Sequence, residues 1–396
     1  MNPTHTKQRP FIPSTTRDST TGFTPRQQAH HNYPFCLKRY PMSDSEFRVA
    51  GVLSNPAAPS YLPDAEFSPD GRYFAVTERH SHRVRLHRRD DLSLVRSYDG
   101  EISGLDFPHG LALTNEFLLV SSKGSGPDAP TYISCFSLHS GDLSPVSITY
   151  TPRKNLREPH SLAVAQGHVF TTYCEGEANG LASFAFDEAT GELGECKQFI
   201  HDCFVGYGEP KGVAVDQEHQ RLIVSFVDEK YVHLASSNWR EKLRRAWNMS
   251  SDPAHFVSKA LRGIRTQFRS ASDEPVHNGI MIFPLDSGRV EESPIDTIES
   301  GGYTRFENVD VRGDLLAIAD PLNNTVALYR LRQGVLDEPL TSLSEPFIFP
   351  HDVAISPDGN TLLVANYGII CHEQEVMWEC FTEHRTDNLV VLTRET

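Results

Sequence analysis

Three histidines hold the same place in a short pattern that the chain repeats: FPHGLAL from Phe107, EPHSLAV from Glu158 and FPHDVAI from Phe349. A fourth copy, EPKGVAV from Glu209, carries Lys211 there, and alignment on the apolar run that follows puts Glu307 at the same place in a fifth. These are side chains that bind metals, move protons and steady charge. Neutral imidazoles of His109, His160 and His351 converging opposite the Glu307 carboxylate would suit zinc, iron or copper. With an open coordination position, such a site activates water or polarises a carbonyl. Only the unprotonated ring binds, so affinity is expected to weaken as pH falls. Glu307 would be a fourth ligand or general base; Lys211 would be a general acid, anchor an anionic substrate or steady developing negative charge. The plainer reading is that Pro-x-Gly segments are turn punctuation, each histidine bonding a loop carbonyl, and 18 histidines leave room for coincidence.

The elements that must position these residues are short strands. SPDGRYFAV, NEFLLVSS, GHVFTTY, QRLIVSF, GDLLAIA and SPDGNTLLVAN each enter an apolar run through a Gly, Asp or Asn turn, directly after one of the repeated segments. A third strand follows (RVRLHRR, TYISCFSL, LASFAFD, GIMIFPL, TVALYRL, NLVVLTR), and usually a fourth. Six four-stranded antiparallel units with a period of roughly forty to fifty residues predict an all-β fold, a six-bladed β-propeller. Blades start near Pro63, Pro108, Pro159, Pro210, Phe306 and Pro350. The last unit lacks a fourth strand, and FRVAGVL from Phe47 is expected to close the ring beside it, removing exposed edges. In a propeller the innermost strands line the axis, so His109, His160, Lys211, Glu307 and His351 would ring the channel mouth, with Pro63 and Asp64 offered by blade one.

A seventh blade would have to lie between Asp228 and His277, where the sequence reads as two helices: Trp239, Leu243 and Trp247 on one, and Val257, Leu261, Ile264 and Phe268 on the other. Residues 228–277 are therefore expected to be a basic helical insertion in blade four, acting as a lid that draws anions or as a surface for lipid or a partner. Residues 1–45, rich in Thr, Pro, Gln and His, are expected to be a disordered tail ahead of a propeller spanning 46–396.

A net charge of −15 argues against nucleic acid, and no apolar run approaches a membrane span. The N-terminus has no signal-like apolar core and the 7 cysteines form no C-x-x-C pair, so a cytoplasmic protein with free thiols is expected. His80 and His82 read as a solvated loop, and Cys371, His372, Cys380 and His384 have metal-binding types without a standard spacing. Nucleophile elbows, phosphate loops and dinucleotide fingerprints are absent.

From about residue 47 onward the chain resembles the six-bladed enzymes of the senescence-marker-protein, gluconolactonase and luciferin-regenerating family, and NHL-repeat propellers. SPDGNTLLVANYG and PHDVAISPDG are also similar to segments of seven-bladed phosphogluconolactonase-type enzymes. The gluconolactonase resemblance implies a divalent ion at the channel mouth, held at positions matching His160, Lys211 and their ring neighbours. Histidine and lysine replace that family's Asn and Asp, which moves the expected metal from calcium toward zinc, iron or copper. EPHSLAV resembles blade starts of the peptidyl-hydroxyglycine amidating lyase, a secreted enzyme with a three-histidine zinc site. Two functions follow as expectations. One is a metal-dependent lactonase-like hydrolase or lyase acting on a small, anionic molecule. The other is a noncatalytic propeller binding a protein or anionic partner through its rim and basic insertion.

Overall fold

The computed structural model describes residues 47–54, 61–125, 129–152, 156–174, 178–228, 277–300, 304–332, 335–344, 346–368 and 387–394. The expected tail, the helical insertion and the Cys371–His384 group lie outside them, apart from Asp228 and His277 at the insertion's edges.

Alternating apolar and small residues, broken by turns such as the Gly71 and Gly359 positions at φ 70 and 69, give six antiparallel sheets. Their innermost strands are Ala65–Phe67, Pro108–Leu113, Pro159–Ala165, Glu209–Asp216, Asn308–Arg312 and Pro350–Ile355. The second strands are Tyr73–Glu78, Phe117–Ser122, His168–Tyr173, Arg221–Val227, Leu315–Asp320 and Thr361–Asn366. In the sixth sheet the outer place is taken by Phe47–Ser54, paired antiparallel with Asn388–Arg394.

No blade has a core of its own. Apolar side chains gather in the gaps between neighbours: Phe136 with Tyr98 between blades one and two, and Phe170 and Phe226 between three and four. Phe67 and Leu363 join blade six to blade one. Each sheet buries both faces against its neighbours, so the strands are apolar on both sides, as the burial of all six residues of Phe117–Ser122 illustrates. Stability and ring geometry are thereby the same thing, since a blade can shift only by opening two interfaces.

The innermost strands are not regular. Pro108 pairs with Ser122 and Leu111 with Val120, so His109 and Gly110 together oppose the single residue Ser121. The same bulge places His160 and Ser161 opposite Thr172, and Lys211 and Gly212 opposite Ser225. A further register shift falls between Pro350 and Asp352, at His351. A bulge re-aims the side chain it carries, and here it recurs at the ring position.

Candidate metal centre

The bulges are held open by hydroxyl groups on the second strand. Gly110 N–H donates to Ser121 Oγ at 2.7 Å, Ser161 N–H to Thr172 Oγ1 at 3.3 Å and Gly212 N–H to Ser225 Oγ at 2.8 Å. In blade one, Thr77 Oγ1 accepts from Asp64 N–H at 3.0 Å. Two of these hydroxyls also reach the next blade, Thr172 donating to the Lys211 carbonyl and Ser225 to that of Glu307. The signal for them was a Ser or Thr at the end of each second strand in VSSK, TTYC and VSFV, which the sequence reading passed over.

The ring thus formed brings His109, His160 and His351 together. They are buried, 2–4% exposed, and their ligand atoms lie within 4.8 Å of one another. Glu307 joins them, with Oε1 3.2 Å from His160 Nε2 and 3.3 Å from His351 Nε2. Its other oxygen receives Arg305 Nε. Lys211 occupies its ring position but turns its amine to Glu209 Oε2 at 3.1 Å. Pro63 supplies only a carbonyl.

That carbonyl matters. His351 Nδ1–H donates to Pro63 O at 2.7 Å, and His109 Nδ1–H donates to His160 O at 2.9 Å. A neutral ring that donates from Nδ1 has a bare lone pair at Nε2. For His351 this lone pair faces a carboxylate oxygen, an arrangement favourable only with a cation or proton between them. The donor set therefore fits a metal ion, with Nε2 of His109 and His351 already bare. His160 Nδ1 has no hydrogen-bond partner, so backbone contacts leave its tautomer open.

No protein-family model matches the sequence, and no curated protein matches it. Solved structures do. A luciferin-regenerating enzyme superposes at TM-score 0.50 with 10% identity, over 87% of this chain and 95% of its own. Regucalcin from Agrobacterium tumefaciens gives 0.50 and 11%, over 88% and 96%. The periplasmic gluconolactonase PpgL of Pseudomonas aeruginosa gives 0.49 and 14%, over 85% and 86%. At these identities the first two likenesses bear on the propeller fold alone and leave the chemistry to the ring itself.

The ring's electrostatics are set by burial and by Arg305. Burial pushes the His160 ring down to about 3 and holds His109 well below, and His351 below, the ordinary histidine value of 6.5. Burial is the largest single influence on Glu307 and would raise it, but the Arg305 guanidinium, His351 and the hydrogen bonds from His160 and His351 together outweigh it and keep the carboxyl well below the usual range. Glu307 is thus a charge partner and a weak base.

The sequence reading missed four further residues at this rim. Lys123 pairs with Glu158, Tyr367 stacks on His351 with ring centroids 4.1 Å apart, and Arg79 lies at the end of blade one's second strand. Arg305, two residues before Glu307, is the fourth. The residues at the corresponding place in four other blades, Tyr61, Phe107, Glu158 and Phe349, have φ between 52 and 56. Left-handed backbone is costly for such side chains and concentrates at functional rims. His80 is exposed and His82 half-exposed, and neither belongs to the three-histidine group.

Proposed function

We propose that this propeller is a metal-dependent enzyme acting on a small molecule at the channel mouth, as a lactonase-like hydrolase or a lyase. One observation carries the reading: three buried imidazoles from three blades converge, two with Nε2 left bare by their backbone acceptors. The luciferin-regenerating enzyme supports an enzymatic role for a propeller of this fold, and regucalcin, described as calcium-binding, supports a bound divalent cation. Nitrogen ligands favour zinc, iron or copper over calcium.

His109, His160 and His351 would hold the ion, with Glu307 as a fourth ligand or as the anion that offsets its charge. The bound metal would supply a Lewis acid and an activated water. Glu307 is too weakly basic to remove a proton readily, since Arg305 holds it ionised. Its role is to keep the site's charge balanced. Lys211, paired with Glu209, sits close enough to affect His160 and would steady negative charge that develops beside it.

Among the described residues no helix is long and apolar enough to cross a membrane. We place the protein in the cytoplasm, a reading supported by Cys135 and Cys203, which form no disulfide.

The test is elemental analysis of tag-free protein beginning at Met42, as wild type and as the His109, His160 and His351 triple Ala variant, followed by a screen of lactones and lyase substrates. Near-stoichiometric zinc, iron or copper is expected in the wild type and lost in the variant. Absence of metal even after reconstitution would overturn the reading.

A further inference from the structure

Beside the metal-site histidines runs an arc of rings. His82 lies 4.7 Å from Phe107, Phe107 5.2 Å from His80, and His80 4.6 Å from Tyr61. Tyr61 is 5.5 Å from Tyr367, which rests on His351. The arc therefore crosses from blade two through blade one to blade six and ends on a candidate ligand. Tyr61 and Phe107 are half-buried, so part of each ring stays open to solvent. Both take the left-handed backbone, at φ 56 and 52, although a propeller strand entry does not need an aromatic residue there.

The charges at this rim are uneven. Lys123 has Glu158, Lys211 has Glu209 and Arg305 has Glu307. Arg79 forms no ion pair among the described residues, and its buried Nε makes no hydrogen bond. The guanidinium lies 5.9 Å from the Phe107 ring centroid and acts through space on Tyr61, His80, His109 and Tyr367. Asp387 acts on Tyr61 and His80 as well. The Tyr367 hydroxyl is buried beside Arg79, from which it accepts a loose hydrogen bond, and its own proton reaches no acceptor of ordinary geometry. Buried donors left without acceptors are destabilising. Two of them at the end of a ring wall mark a place where an acceptor arrives from outside.

We propose that this rim subsite binds an arene carboxylate, its ring against the Tyr61, His80 and Phe107 arc and its carboxylate on Arg79. The inference rests on the proposed function only in naming that reaction's substrate class as aromatic acids; the subsite itself uses no metal.

The probe is 2-naphthoate, titrated calorimetrically into metal-free and metal-loaded protein beside cyclohexanecarboxylate and 2-naphthylmethanol. Naphthoate should bind both forms, and each control should bind about tenfold or more weakly, because the ring contact and the charged hydrogen bond each contribute on that order. Arg79→Gln should bring naphthoate down to the affinity of naphthylmethanol and leave naphthylmethanol unchanged. Phe107→Leu should weaken both arenes. Equal affinity for naphthoate and cyclohexanecarboxylate would overturn the proposal. So would no naphthoate binding, or a folded Arg79→Gln variant with wild-type affinity. The contrast between probes on wild type needs no variant, so a misfolded mutant does not shield the proposal. Naphthoate binding in protein that takes up no metal would sink the metal reading alone; bound metal without naphthoate binding would sink this one alone.

Discussion

At Glu307 one buried carboxylate serves two kinds of partner: its Oε1 faces two imidazole nitrogens and its other oxygen meets Arg305. Breaking a buried charge pair by neutralising one member leaves the other charge uncompensated, which costs about 3–5 kcal/mol. Glu307→Gln should therefore lower stability by about that amount in denaturant unfolding, beyond any effect on metal binding. A loss below about 1 kcal/mol would show that Arg305 draws its compensation elsewhere. The histidines lead to a second expectation. Burial holds His109 well below 6.5 and His351 below it, and takes His160 to about 3. Metal measured by equilibrium dialysis should therefore still be fully bound at pH 6.5 and be released only at lower pH, with the His160 ring resisting protonation until near 3. Release already under way at pH 6.5 would mean that the rings titrate as exposed histidines do.

At the scale of the element, the repeated device is a bulge backed by a hydroxyl. Thr172 accepts from Ser161 N–H and donates to the Lys211 carbonyl, joining blade three to blade four. Thr172→Val keeps the shape and removes both bonds, leaving buried backbone groups unsatisfied at a cost of about 1–3 kcal/mol. Thermal unfolding checks the loss, and a variant as stable as wild type would mean that the bulge does not depend on the hydroxyl. Gly110 is constrained from the other side. A Cβ there would stand 2.5 Å from the His160 carbonyl oxygen and 2.9 Å from the Ser161 Cα. That carbonyl is the acceptor for His109, so Gly110→Ala should push it away, destabilise the protein by about 1–3 kcal/mol and weaken metal binding. Metal titration of the folded variant measures the second effect; unchanged affinity would separate the turn from the site.

At the scale of the whole molecule, two buried titrating groups share the axis. On the far side of the histidines a cavity of about 350 Å3 is lined by Asp64, Glu66, Asp310, Asp352 and Arg312, among others. The carboxylates also join blades: Asp64 accepts from Leu111 N–H, Asp352 from Ala65 N–H and Asp310 from Ile355 N–H. Burial pushes Glu66 up to about 8 and Asp352 up to about 7, and raises Asp64 and Asp310 as well. The two groups pull stability in opposite directions. Histidines with lowered values contribute fully above 6.5, and that contribution fades as pH falls toward about 3. Acids with raised values contribute fully below 4.5, and theirs fades as pH rises through about 8. Metal-free protein should therefore be most stable between about pH 4.5 and 6.5 and weaken on both sides. Glu66→Gln should raise Tm relative to wild type at pH 9 and leave the difference small at pH 5; a Tm difference independent of pH would remove Glu66 from the account.

The repeat was legible in the chain because strand, turn and bulge are local. Alternation, Gly and Asn turns and the recurring Pro-His segments are properties of a few neighbouring residues, and six copies of them imply six blades. The equivalence of His109, His160, Lys211, Glu307 and His351 could be read for the same reason. Lys211 marks where that reading stops. Symmetry assigns it a ring position, while its amine chooses Glu209 over the histidines, a choice made by short-range electrostatics after the blades have closed. Arg305 holds the place of Phe107, Glu158 and Phe349 without sharing their residue type, and with Arg79 and Tyr367 it is brought to the rim from three blades. Their roles depend on distances across the axis, and no local pattern encodes them. Which nitrogen of His109 and His351 is bare was likewise decided only by folding, because the carbonyl that takes each proton belongs to the next blade in the ring.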